Sequence, residues 1–142
     1  MLIHASCVAI EAKGVLLVGP AGTGKSDLAL RLIDDGAELV ADDQVDLQLE
    51  NNVLIASPPE SIAGLFEIRH IGLVKMPCVT KVPVTLYVDL EPLDRKLERL
   101  PDEDMIYLLD HPVRRLRLPA FAASTPAKIR AALIYPLVSD RT

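Results

Sequence analysis

Short apolar runs separated by turn signals, with one stretch of helical period among them, make up the first ninety residues. Met1 to Glu11 alternates loosely and stops before Ala12-Lys13-Gly14, which predicts a strand and a hairpin turn into Val15-Leu16-Leu17-Val18. That second run is continuously apolar, the form of a buried parallel strand. Asp27 to Ile33 carries an apolar face at helical spacing, and Asp34-Asp35-Gly36 ends it with glycine where a helix C-terminus favours one. Ala37 to Ala41 is a short apolar strand closing on Asp42 and Asp43. Gln44 to Glu50 alternates, meets Asn51-Asn52, and returns as Val53 to Ala56, a hairpin pattern. Ser57 to Glu60 is a loop, and Ile62 to Val74 is an apolar run interrupted by Glu67 and Arg69. On a strand those two charges share a face: buried, they need each other or a ligand; exposed, they are solvated. Val82 to Leu90 is a further strand with Asp89 at its end. Glu91 to Asp104 reads as a loop or short exposed helix, Met105 to Asp110 as a short strand or helical turn, and His111 to Pro119 as a basic loop. Ser124-Thr125-Pro126 opens a last helix through Ile134, with a hydroxyl cap and proline at the first helical position.

The junction between the second strand and the first helix carries the chemistry. Gly19-Pro20-Ala21-Gly22-Thr23-Gly24-Lys25-Ser26 fits the phosphate-binding pattern G-x-x-x-x-G-K-[ST] at every fixed position. Glycines let the backbone curl so that successive N–H groups point at phosphate oxygens, and the helix N-terminus adds unpaired donors and a positive dipole end. Lys25 then reaches the β- and γ-phosphates and the Ser26 hydroxyl ligates Mg²⁺. The expected ligand is a nucleoside triphosphate with Mg²⁺, or a similar polyphosphate. In α/β sheets the ligand crevice lies at the carboxyl ends of strands. There Asp42 and Asp43 serve either as Mg²⁺ ligand and base or as turn caps, and Asp89 is a second candidate acid. His4, alone in the first strand, is structural, exposed or catalytic. The arginines of His111–Pro119 are a solvated basic stretch, or they stabilise phosphoryl charge or dock a partner.

Composition narrows the classes. The chain has 142 residues, a length that suggests one domain over 1–142, with no repeat and no linker. Aromatic residues make up 4%, Trp is absent and the net charge is −5, which argues against a nucleic-acid partner. Cys7 and Cys78 have no metal-ligand spacing and read as free thiols in a reducing compartment. No apolar run approaches the ~18 residues of a membrane span. The expectation is a cytoplasmic protein with no membrane contact.

Together these segments resemble the catalytic domain of the bacterial HPr kinase/phosphorylase family. The matching residues are His4, the loop Gly19–Ser26 with its helix, Leu39-Val40-Ala41-Asp42-Asp43, and Phe66-Glu67-Ile68-Arg69-His70-Ile71-Gly72-Leu73, which is similar to the signature L-E-I-R-G-x-G. A basic Pro112-Val113-Arg114 segment completes the order. The resemblance implies an α/β P-loop domain like the nucleotide domain of phosphoenolpyruvate carboxykinase, a mixed sheet with flanking helices. It implies ATP- and Mg²⁺-dependent phosphorylation of a serine of the phosphocarrier protein HPr, reversal with inorganic phosphate to give pyrophosphate, and hexameric assembly. Residue by residue, it makes Lys25 the phosphate-cradling lysine and Ser26 a Mg²⁺ ligand. Asp42 becomes the acid/base, favoured over Asp89, with Asp43 beside it as a metal ligand. Glu67 becomes the second metal-site carboxylate, Arg69 a charge partner, and His4 a neighbour polarising the aspartate. Arg114, and after it Arg117, fall to a mobile loop that supports phosphorolysis. The chain departs from the family pattern in starting almost at His4, where full-length members carry an N-terminal domain. It has His70 where the signature has Gly, and Pro112-Val113-Arg114-Arg115-Leu116-Arg117 where the family has P-V-x-P-G-R-N.

Overall fold

The computed structural model describes residues 1–138. Eleven strands and two helices alternate along the described chain. They are β1 Leu2–His4, β2 Ser6–Ile10, β3 Lys13–Val18, α1 Lys25–Asp34, β4 Glu38–Ala41, β5 Gln44–Glu50, β6 Val53–Ser57, β7 Leu65–Ile68, β8 Gly72–Lys75, β9 Val82–Glu91, β10 Asp104–Leu108, β11 His111–Pro119 and α2 Thr125–Ile134. The sheet is mixed and branched. Its main path runs β1-β5-β6-β9-β3-β2-β4, and β11 joins β9 and carries β10 at its outer side. β9 is the hinge of this arrangement: its first residues, Val82 and Pro83, pair with β6, while Leu86 to Glu91 pair in parallel with β11. β3 and β11 both run parallel to β9, and β4 shares their direction because each of β3 and β4 is antiparallel to β2.

The two faces of the sheet bury separate cores. On the helical side Val8, Val15, Leu17, Leu86, Val88 and Leu90 pack under Leu28, Ala29 and Leu32 of α1, with Ile129 of α2 and Phe66 of β7. On the other side Cys7, Leu16 and Val113 meet Val45, Leu47, Leu54 and Ala56, so the β1-β5-β6 portion folds back over the sheet. Phe66, Leu16, Leu17, Leu28 and Leu32 are among the largest fully buried side chains. At about 1.5–3 kcal/mol each, such residues supply much of the folding drive. The architecture agrees with the expected α/β class and mixed sheet.

Several expectations need correction. The first strand is broken at Ala5 into β1, which pairs with β5, and β2, which pairs with β3 and β4. Its hairpin turn is Glu11-Ala12, one residue earlier than the pattern suggests, with both φ angles positive at 49° and 64°. Ile62 to Val74 is a hairpin in which β7 ends at Ile68, so Arg69 sits in the turn and does not share a strand face with Glu67. His111–Pro119 is a strand of the main sheet, not a loop. Its alternating Leu116 and Leu118 face the helical core, and its arginines find acidic partners that the local sequence does not reveal. Ser124 makes no side-chain cap, and Lys128 N donates to the Ser124 carbonyl oxygen at 2.9 Å. Among the described residues no helix is long and apolar enough to cross a membrane.

Candidate active site

β3, β4 and β11 deliver three segments to one end of the sheet: Gly19 to Gly24, Asp42-Asp43, and residues 120–124. The first is a curled turn. Gly22 and Gly24 take φ of 84° and 98°, which a side chain would strain. Thr23 closes the curl through its amide at 3.2 Å and its hydroxyl at 2.7 Å, both donated to the Pro20 carbonyl. α1 starts at Lys25, so the amides of its first turn have no intrahelical acceptor. Lys25, only 7% exposed, donates from Nζ to the carbonyls of Gly19 at 2.6 Å and Pro20 at 3.1 Å. A buried ammonium requires such partners, and phosphate oxygens would make stronger, charge-assisted ones.

The acidic turn meets this loop through hydroxyls. β2 and β4 are registered with Cys7 against Ala41, which sets Ser6 opposite Asp42. Ser6 Oγ and Ser26 Oγ each donate to Asp42 Oδ1 at 2.8 Å. Ser6 is completely buried, and nothing in the sequence pattern marks it, since a serine in an apolar strand reads as a small core residue. Asp43 follows with φ of 71°, a conformation Asp tolerates. Its Oδ1 lies 3.4 Å from His4 Nδ1, both side chains being exposed. His4 is therefore the neighbour of Asp43, whereas the hydroxyls belong to Asp42.

No other candidate makes a hydrogen bond or ion pair with this cluster among the described residues. Glu67 is exposed on β7 opposite Leu73, and makes no hydrogen bond or ion pair with the described residues. Among the described residues no three His, Cys, Asp or Glu side chains gather as a metal cage. Mg²⁺ does not demand one, because it is commonly held by one or two carboxylates together with waters and substrate phosphates. The oxygens of Ser26 and Asp42 are hard ligands suited to that cation. Arg69 is exposed in the hairpin turn, and His70 takes φ of 73°, which explains why a glycine serves the signature at that place. Arg114 is corrected most strongly: it is mid-strand on β11 and donates to the Ala132 carbonyl of α2 at 3.3 Å.

Asp89, opposite Val18 in the ladder, is neutralised by Arg115, whose Nε donates to it at 2.6 Å and whose Nη2 donates to the same oxygen. Desolvation opposes the Arg115 charge, but the Asp89 carboxylate outweighs it and raises the guanidinium pKa. Burial pushes the Tyr87 phenol up beneath that pair, with Asp89 adding and Arg115 opposing. Arg117 lies 3.7 Å from Glu91 and 3.8 Å from Asp104. Cys7 is fully buried, and burial pushes its thiol up to about 12, so it stays protonated and inert.

The segment that does border the phosphate loop is residues 120–124. A side chain at Gly24 would come within 2.7 Å of Phe121 Cζ and 2.9 Å of Ala120 Cβ, so this glycine is required for close packing as well as for its φ. That segment carries no arginine or lysine.

Residues 1–138 match the family model described as HPr Serine kinase C-terminal domain. Two curated relatives named HPr kinase/phosphorylase, from Clostridium acetobutylicum and a Geobacillus species, are 34% and 36% identical over 127 and 128 residues. Each match covers 82% of this chain but only 42% and 41% of the relative, so the chain spans about two-fifths of the length of the curated relatives it matches. The solved structure titled Hpr(Ser) kinase/phosphatase from Coxiella burnetii superposes with a TM-score of 0.82 at 32% identity, covering 94% of this chain and 88% of that one.

Proposed function

The chain belongs to the family described as HPr Serine kinase C-terminal domain, and on that premise we propose that it is a single catalytic domain, a Mg²⁺- and ATP-dependent protein-serine kinase acting on the phosphocarrier protein HPr. The observation that carries the reading is the double hydroxyl bond to Asp42, which ties the last residue of the phosphate loop to the acidic turn at 2.8 Å. Phosphoryl transfer needs positioning and charge neutralisation more than covalent chemistry, and this cluster offers both.

The roles divide as follows. The curled loop and the first amides of α1 bind the phosphates, and Lys25 holds the β- and γ-oxygens. Ser26 would hold Mg²⁺ together with the carboxylates of Asp43 and Glu67, the latter neutralised by no described residue. Bound there, the cation would neutralise phosphate charge as the transferred group leaves. Asp42 Oδ1 is occupied by the two hydroxyls, which leaves Oδ2 to take the proton from the incoming serine. Asp43, with His4 against it, keeps a second carboxylate at the exposed mouth where a protein substrate must enter. With inorganic phosphate as acceptor, the same cluster runs backward: the phosphoserine P–O bond breaks, pyrophosphate forms, and Asp42 returns the proton to the serine oxygen.

Incubation of the chain with HPr, Mg²⁺ and γ-labelled ATP tests the proposal. Label on an HPr serine with wild type, at least about a hundredfold less with Lys25→Ala, is expected from the loss of a charged phosphate contact. ATP binding with no label on HPr would reject the kinase reading.

A further inference from the structure

The triphosphate has two ends, and the sheet order separates them. Asp42 follows β4, which lies to one side of β3 with β2 between them. On the other side of β3 come β9 and then β11, whose chain continues into residues 120–124. If Ser26 and Asp42 mark the γ-phosphate and cation, the nucleoside leaves the loop on the opposite flank, toward Phe121.

Phe121 is an unusual residue there. The chain has two Phe and no Trp, and the other, Phe66, is fully buried in the core. Phe121 is 56% exposed. The Cζ–Cε1 edge of its ring lies against Gly24, so the rest of the ring is held at the rim of the phosphate loop. The segment that carries it is pinned to α1. Arg31, itself bonded to Asp27 at 3.0 Å, donates to the carbonyl of Ala122 at 3.4 Å and to that of Ala120. Thr125 Oγ1 donates back to the Pro119 carbonyl. The helix that receives the phosphates therefore also fixes the aromatic ring. Leaving such a ring open to water costs free energy unless something apolar covers it.

Resting on the nucleotide reading above, we propose that the base of the bound nucleotide stacks on the exposed part of the Phe121 ring, making residues 120–123 the nucleobase subsite. Residues 119–123 are Pro, Ala, Phe, Ala and Ala, with no side-chain donor or acceptor. Stacking without edge recognition discriminates poorly, since every base has a π-face. The subsite therefore takes nucleoside triphosphates without strong preference among the bases, adenine and guanine included.

Binding of Mg²⁺ with ATP, GTP or inorganic tripolyphosphate to the full chain tests this. Phe121→Ala and Phe121→Leu should weaken ATP and GTP about tenfold, within the range of base–aromatic stacking, and leave tripolyphosphate unchanged. The Leu variant keeps apolar bulk against Gly24 without a π-face. Phe121→Trp introduces a sole indole whose emission should be quenched by ATP and not by tripolyphosphate. Equal weakening of ATP and tripolyphosphate would reduce Phe121 to a prop for Gly24, and unaltered ATP affinity would place the base elsewhere; either overturns the subsite. Wild type that binds tripolyphosphate but not ATP also overturns it, while wild type that binds neither rejects the nucleotide reading itself.

Discussion

Asp42 Oδ1 accepts hydrogen bonds from Ser6 and from Ser26, and the two serines stand differently toward the chemistry. Ser26 belongs to the phosphate loop and has its own proposed ligand. Ser6 has none: buried across the ladder from Asp42, it can only fix the rotamer of that carboxylate. Hydrogen bonds to charged groups are worth about 1.5–3 kcal/mol, and every 1.36 kcal/mol at the transition state is about a factor of ten. Ser6→Ala should therefore lower kcat for phosphoryl transfer about tenfold and leave KM for ATP unchanged, as steady-state kinetics would show. A matching rise in KM with kcat intact would assign Ser6 to binding instead. The residue was not legible in the sequence because its meaning lies in register, and a strand register is set by pairing with β4. His4 shows the same limit, since its neighbour turned out to be Asp43. The phosphate loop, by contrast, is local chemistry, and its glycines and lysine could be read directly.

At the scale of elements, β11 teaches most. Prolines at 112 and 119 and arginines at 114, 115 and 117 suggested a basic loop. Yet the prolines fall near the two ends of the strand, where lost ladder hydrogen bonds are tolerated, and Leu116 and Leu118 keep period two. The acidic partners Asp89, Glu91 and Asp104 come from β9 and β10. The segment beside Gly24 is thus residues 120–124, beyond the end of β11. Two of the three two-residue hairpin turns also depart from local preference. Asn51-Asn52 suits positive φ, but Glu11-Ala12 and Leu109-Asp110 adopt it as well. Ala12, at φ of 64°, bears the left-handed cost of ~1–2 kcal/mol that glycine avoids, less the extra chain entropy glycine brings to the unfolded state. Ala12→Gly should raise stability by about 0.5–1 kcal/mol, or about 2–4 °C in a thermal melt. A lower Tm would mean that the turn holds Ala12 without strain.

For the whole molecule, the account rests on how four codirectional strands sort their acids. Near the end of β9, Asp89 takes both Arg115 nitrogens on one oxygen on the face away from α1, whereas Asp42, just past β4, takes two hydroxyls on the face toward it. Each carboxylate is engaged through one oxygen, but the guanidinium cancels the charge of Asp89, whereas the neutral hydroxyls leave Asp42 its negative charge for a proton or a cation. The measurement that tests this most directly is single-turnover transfer from γ-labelled ATP to HPr, with ATP affinity measured in parallel, for wild type, Asp42→Asn and Asp89→Asn. The account predicts that Asp42→Asn binds ATP nearly as wild type and loses transfer by at least about a hundredfold, the scale of a general base. It predicts that Asp89→Asn, though less stable, transfers label at a rate close to wild type. Full transfer by Asp42→Asn, or loss of transfer confined to Asp89→Asn, would contradict it.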